Sequence, residues 1–274
     1  MKYARILATS FIDFFKDGGL MLAGALSYFF MMALVPFCLF LIAIFGYILG
    51  HYPGFYEFFT IRLVSFFPEI TNELTNQLGK LITFKGLGSF SIVLYAVLSF
   101  QVFSSIESAL NVIFEVKKKR TFFWSLLLSS IIVTIVIVVI LVSFVATSLV
   151  PLLKMKMLSQ VFPGFRIGLI TAFLIQYVIP FLMVFFMAAV MYVFLPRMRV
   201  KVSYAAAGAL FSSLFLEAAK HIFTWYVGSV MKFGTIYGPL TAVVVFLLWV
   251  FYSACIFLIG AEMVHNLIIR KDRR

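Results

Sequence analysis

Glu217, Lys220 and His221 stand together inside an otherwise apolar stretch and carry most of the chemistry open to this sequence. A spacing of three places Glu217 and Lys220 on one helical face, where they can pair, and His221 falls one turn from Glu217. A charged side chain deep in lipid is costly, so such residues face protein or water. The trio can form a polar site or a proton-linked gate. It can equally form an internal ion pair that locks a helix bundle. Gln101 reaches similar depth in an earlier apolar stretch, so a hydrogen bond to Glu217 is geometrically possible. Gln101, Glu217, Lys220 and His221 therefore make up a candidate polar path.

A second polar group gathers where apolar stretches end. Glu107 and Asn111 lie one helical turn apart, Glu262 is followed by His265 and Asn266, and Ser27 and Tyr28 sit in the first apolar stretch. Ser27, Tyr28, Glu107, Asn111 and Glu262 are candidates for a cytoplasm-facing vestibule; ordinary interfacial anchoring is the alternative. Catalytic constellations are poor. His51, His221 and His265 share no ligand face with an acid at metal spacing. Asp occurs only at Asp13, Asp17 and Asp272, and no phosphate-cradling glycine loop or nucleophile elbow is present. The expectation is a non-enzyme with no catalytic residues, no metal and no cofactor. The basic runs at 117–120 and 270–274 lack stacking aromatics, so no nucleic-acid partner is expected.

The elements that must position these residues follow from composition. The chain has 274 residues, 64% hydrophobic and only 12% charged. Soluble domains carry roughly a quarter charged residues, so a soluble enzyme or nucleic-acid module is excluded as a first reading. A helix needs about 20 apolar residues to cross the hydrocarbon core. Stretches poor in charge predict six transmembrane helices, at 20–49, 87–112, 122–150, 167–195, 203–229 and 238–266. The fold class is all-α: a polytopic bundle forming one membrane domain over residues 1–274. With the N-terminus inside, fourteen Lys and Arg fall in inner segments and seven in outer ones. That bias predicts both termini in the cytoplasm. The net charge of +12 matches basic inner loops that attract anionic lipid head groups.

Residues 1–17 read as an interfacial amphipathic helix, with Ala4, Leu7, Ala8, Phe11 and Phe15 on one face and Lys2, Arg5, Thr9, Asp13 and Lys16 on the other. Residues 51–85 read as an outer loop of two short helices broken at Pro68. Pro36 and Pro180 predict kinks in the first and fourth spans. Small residues mark packing faces: Gly19, Ala23 and Ser27; Ala205, Ala209 and Ser213; and Ser253 and Gly260 with Ala254 and Ala261. Cys38 and Cys255 lie in apolar runs and supply no disulfide framework.

Several motifs then carry a resemblance. Leu22-Ala23-Gly24-Ala25-Leu26-Ser27-Tyr28 followed by Leu34-Val35-Pro36, and the 106–111 stretch ending Ala109-Leu110-Asn111, open the series. Glu217-Ala218-Ala219-Lys220 continues it, and Tyr237-Gly238-Pro239-Leu240, Leu248-Trp249 and Gly260-Ala261-Glu262 close it. In this order they resemble the YihY/BrkB family of bacterial inner-membrane proteins. Pro239 departs from the small residue commoner there, at a helix start where proline is tolerated. The resemblance implies a six-helix inner-membrane protein, in a family that has carried ribonuclease and virulence-factor labels. The residues speak against the ribonuclease label. The expected function is transport, or flippase-like handling, of an amphipathic anionic envelope substrate. The alternative is a structural or assembly protein without transport activity. Membrane lipids, by their anionic head groups at the cytoplasmic face, are the expected partners.

Overall fold

The computed structural model describes residues 2–33, 89–116, 127, 131, 178–230 and 239–272. Among the described residues there are six helices and no strand. They are α1 (Lys2–Lys16), α2 (Gly19–Ala33), α3 (Ser89–Ile113), α4 (Ile179–Phe194), α5 (Val202–Val230) and α6 (Pro239–Asp272). The span expected at 203–229 matches α5 almost residue for residue. The last one, expected at 238–266, is described from Pro239, the first described residue there, and runs on to Asp272, six residues past 266. α3 covers the second expected span, while α2 and α4 cover the described parts of the first and fourth. The span at 122–150 (apart from residues 127 and 131), the outer loop at 51–85 and Pro36 lie outside the described residues. Pro180 is the second residue of α4 as described, and the residues before 178, where the kink expected at this proline would show, lie outside the described residues.

Two of these helices, over Val202–Tyr226 and Val244–Arg270, are long and apolar enough to cross a membrane. Their surfaces fit that reading. Leu210, Leu214, Ile222 and Trp225 of α5 and Val244 and Leu247 of α6 are all exposed. Two buried hydroxyls inside the helices are satisfied by their own backbone, as apolar surroundings favour. Ser27 Oγ donates to the Ala23 carbonyl at 2.7 Å and Ser213 Oγ to that of Ala209 at 2.8 Å.

The chain divides into two compact units. The first comprises Met1–Gly19, Glu107–Lys220 and Ile256–Arg274. Its core includes small residues: Ala205, Ala209, Ala261 and Ser212 are fully buried, and Ser213 almost so. α5 and α6 cross at two glycines. A Cβ on Gly208 would collide with Val264 and sit 2.7 Å from the Gly260 carbonyl oxygen. No side chain fits there, which is the close backbone approach that small residues permit. Beside the crossing, the buried Tyr192 hydroxyl of α4 pairs with Ser212 Oγ at 2.8 Å and donates to the Phe257 carbonyl at 2.6 Å. Its ring stacks on Phe257 at 4.8 Å.

Two helix ends of this unit turn through left-handed residues. Gly18 (φ 69°) closes α1. Glu115 (φ 51°) closes α3, with Glu115 N–H bonded to the Val112 carbonyl at 3.0 Å and Val116 N–H to that of Asn111 at 2.9 Å. That pair of bonds is the Schellman arrangement, which normally takes glycine at the residue Glu115 occupies.

The second unit comprises Leu20–Ile106 and His221–Cys255. In it Ala23 and Ser27 of α2 are buried, as their small-residue spacing predicts. Phe223, Trp249 and Tyr252 form an aromatic cluster with ring centroids 4.9–5.7 Å apart.

Candidate functional site

α5 carries the first candidate group. Glu217 lies near its middle, and Lys220 Nζ bonds Glu217 Oε1, so the ion pair expected from the three-residue spacing is formed. The pair is not sealed: the side chains are 26% exposed at Glu217 and 41% at Lys220. His221, one residue on, is exposed. Gln101 is exposed on α3, and its backbone carbonyl accepts from Ser105 Oγ at 2.8 Å. Of the candidate polar path, the structure therefore joins Glu217 with Lys220 directly.

The inner-vestibule candidates fare differently from one another. Glu107 is buried and takes Arg197 as partner, with Arg197 Nε donating to Glu107 Oε1 at 2.8 Å. The Arg197 backbone N–H donates to Asn111 Oδ1 at 3.0 Å. Glu107 and Asn111, one turn apart on α3, thus grip the turn between α4 and α5 from both side chain and backbone. A buried, hydrogen-bonded pair of this kind orders a connection. The α4–α5 turn itself runs through the buried Leu195 and Pro196, which points Arg197 back at α3.

Glu262 is buried on α6. Glu262 Oε1 itself has no partner, and His265 Nδ1 is likewise buried and unbonded. The His265 ring stacks on Phe114 at 5.6 Å. One turn past Glu262, Asn266 Nδ2 donates to Ser10 Oγ at 3.1 Å and to Asp13 Oδ2 at 3.0 Å, tying α6 to α1. Ser27 is buried with its hydroxyl held by its own helix, whereas Tyr28 beside it is exposed. Among the described residues no group of three or more His, Cys, Asp or Glu side chains could hold a metal ion.

Sequence reading missed Arg197, Tyr192 and the role of Asp13. Arg197 was one cation among many in a basic segment, and only the fold aims it at Glu107. Tyr192 sits in an apolar run with nothing to separate it from its neighbours. Asp13 sits on the charged side of α1, but its bond from Asn266 joins residues 253 apart in sequence.

The family described as Virulence factor BrkB matches residues 11–273. A UPF0761 membrane protein of Aggregatibacter aphrophilus is 27% identical over 246 residues, 88% of this chain and 84% of the relative. One from Haemophilus influenzae is 26% identical over 250 residues, covering 89% of this chain and 88% of the relative. One from Pseudoalteromonas atlantica is 24% identical over 255 residues, covering 91% and 81%. No solved structure matches. A family match over nearly the whole length, on a chain with two described helices long and apolar enough to cross a membrane, shows that this is a helical membrane protein belonging to the BrkB family.

Proposed function

We propose that the chain is a multi-pass protein of the bacterial inner membrane, with both termini cytoplasmic. In this reading it is not an enzyme; it moves or handles an amphipathic, anionic envelope substrate in the manner of a transporter or flippase. The observation that carries the reading is the Glu217–Lys220 pair, set in the middle of α5 and open along one side. Charges at that depth do not face acyl chains. An ion pair in the middle of an apolar helix that stays only partly buried fits a polar surface that a head group can pass. Basic inner segments would gather anionic head groups from the cytoplasmic leaflet. No nucleotide-binding loop is present in the sequence, so energy would come from a gradient or a partner protein.

The test is movement of a fluorescent anionic phospholipid in vesicles containing the purified protein, read by chemical quenching of the outer leaflet. Wild-type protein is expected to expose inner-leaflet probe faster than protein-free vesicles. The double variant Glu217→Gln with Lys220→Met removes both charges together and is expected to fold but not to move the probe. A fully active double variant would remove the pair from the mechanism. The alternative, a structural or assembly role, is favoured by the Arg197–Glu107–Asn111 and Tyr192–Ser212–Phe257 groups, which spend their polar atoms on holding helices together. That reading expects wild-type vesicles to behave as protein-free ones.

A further inference from the structure

α1 has three faces where an ordinary amphipathic helix has two. Ile6, Ser10 and Phe14, four residues apart, are buried. Ser10 on that face is bonded by Asn266 of α6. Leu7, Phe11 and Phe15, also four apart, are exposed, with Phe11 at 53% and Phe15 at 51%, and Ala8 and Ile12 extend the same surface. The two Phe rings meet edge to face at 5.2 Å and still show half their area outward. Arg5, Thr9 and Lys16 are exposed on the remaining side. Helical spacing sets these three sectors about 120° apart. Each sector thus has a different neighbour to find: one already has the protein, one is charged and suits water, and one is apolar and uncovered.

We propose that the Leu7–Phe11–Phe15 face of α1 is a docking surface for an anionic lipid leaflet, with the rings seated at the acyl boundary and Arg5 and Lys16 against phosphate head groups. Charge decides the occupant. The polar sector presents two exposed cations, while its one anion, Asp13, already accepts from Asn266 at 3.0 Å and faces Lys16 at 3.8 Å. A net charge of +12 on the chain adds a field of the same sign. Apolar contact plus two cations is the combination by which a surface helix distinguishes anionic from neutral lipid. Because the buried sector is pinned to α6, the apolar face of the helix is held in a fixed direction relative to it, and Gly18 in the left-handed region, followed by Gly19 packed against Phe14, ends the helix. The inference does not depend on any transport activity.

The experiment uses the full-length protein with Cys38 and Cys255 changed to serine, and a single spin label at position 5, 9, 11 or 15. The protein is reconstituted into vesicles of phosphatidylethanolamine with phosphatidylglycerol, or of phosphatidylcholine alone. Labels at 11 and 15 are expected to relax several-fold more with oxygen, which partitions into lipid, than with a water-soluble nickel chelate. Labels at 5 and 9 are expected to show the reverse. The oxygen preference at 11 is expected to be larger with phosphatidylglycerol present, and Arg5→Gln with Lys16→Gln is expected to erase that difference. Nickel accessibility at 11 and 15 equal to that at 9 would overturn the proposal. So would protection from both reagents, as when a second protein covers the face, and so would indifference to phosphatidylglycerol.

Discussion

Gly260→Ala probes the tightest crossing in the first unit. A Cβ there meets the Ser212 hydroxyl well inside contact distance, Tyr192 Oη at 2.5 Å and the Gly208 carbonyl oxygen at 3.1 Å. Overpacking a close-packed interior costs about 1–3 kcal/mol. Tyr192 is fully buried, so displacing its hydroxyl also weakens the bonds to Ser212 and Phe257, each contributing about 1 kcal/mol. Against this, Ala in a helix interior is better than Gly by about 1 kcal/mol. The balance is a loss of about 2–4 kcal/mol. The assay is reversible unfolding in mild detergent with rising fractions of dodecyl sulfate, followed by tryptophan fluorescence. Adding Tyr192→Phe and Ser212→Ala removes both oxygens that meet the new methyl group, so the triple variant is expected to be more stable than Gly260→Ala alone. If Gly260→Ala is neutral, or stabilises by its helix propensity, α5 and α6 do not cross at Gly208 and Gly260 and the packing argument fails.

Three further outcomes follow from the geometry. In a double-mutant cycle of Glu107→Gln and Arg197→Met, the charge-assisted bond at 2.8 Å is expected to give a coupling of about 1.5–3 kcal/mol in the same titration; additive effects would mean the two side chains do not pair. Glu115→Gly is expected to raise the unfolding midpoint, because a left-handed residue with a Cβ costs about 1–2 kcal/mol; a lower midpoint would show that the side chain contributes more than the strain. Reporter fusions after Gly79 and after Arg274 are expected to report opposite compartments, as the distribution of Lys and Arg predicts, and matching compartments would mean a miscounted span.

Sequence alone determined the helical class and the limits of one helix, α5, because both depend on local quantities. Long apolar stretches can satisfy their backbone in lipid only as helices, so the charged flanks of 203–229 marked α5 within one residue at each end. The Glu217–Lys220 pair was legible for the same reason: three residues along a helix is a distance that needs no tertiary information. The small-residue stripes were legible as packing faces, since nothing else explains Ala205, Ala209 and Ser213 at that spacing. Which helix each stripe meets was not. That Gly208 faces Gly260, that Tyr192 reaches Ser212, and that Arg197 turns onto Glu107 depend on how helices cross, and crossing angles arise from side chains far apart in sequence. α1 shows the division within a single element. Its periodicity separated the charged side from the Leu7–Phe11–Phe15 side. The third face, Ile6, Ser10 and Phe14, came to light only in the fold, because apolar side chains look alike in sequence whether they will meet lipid or protein.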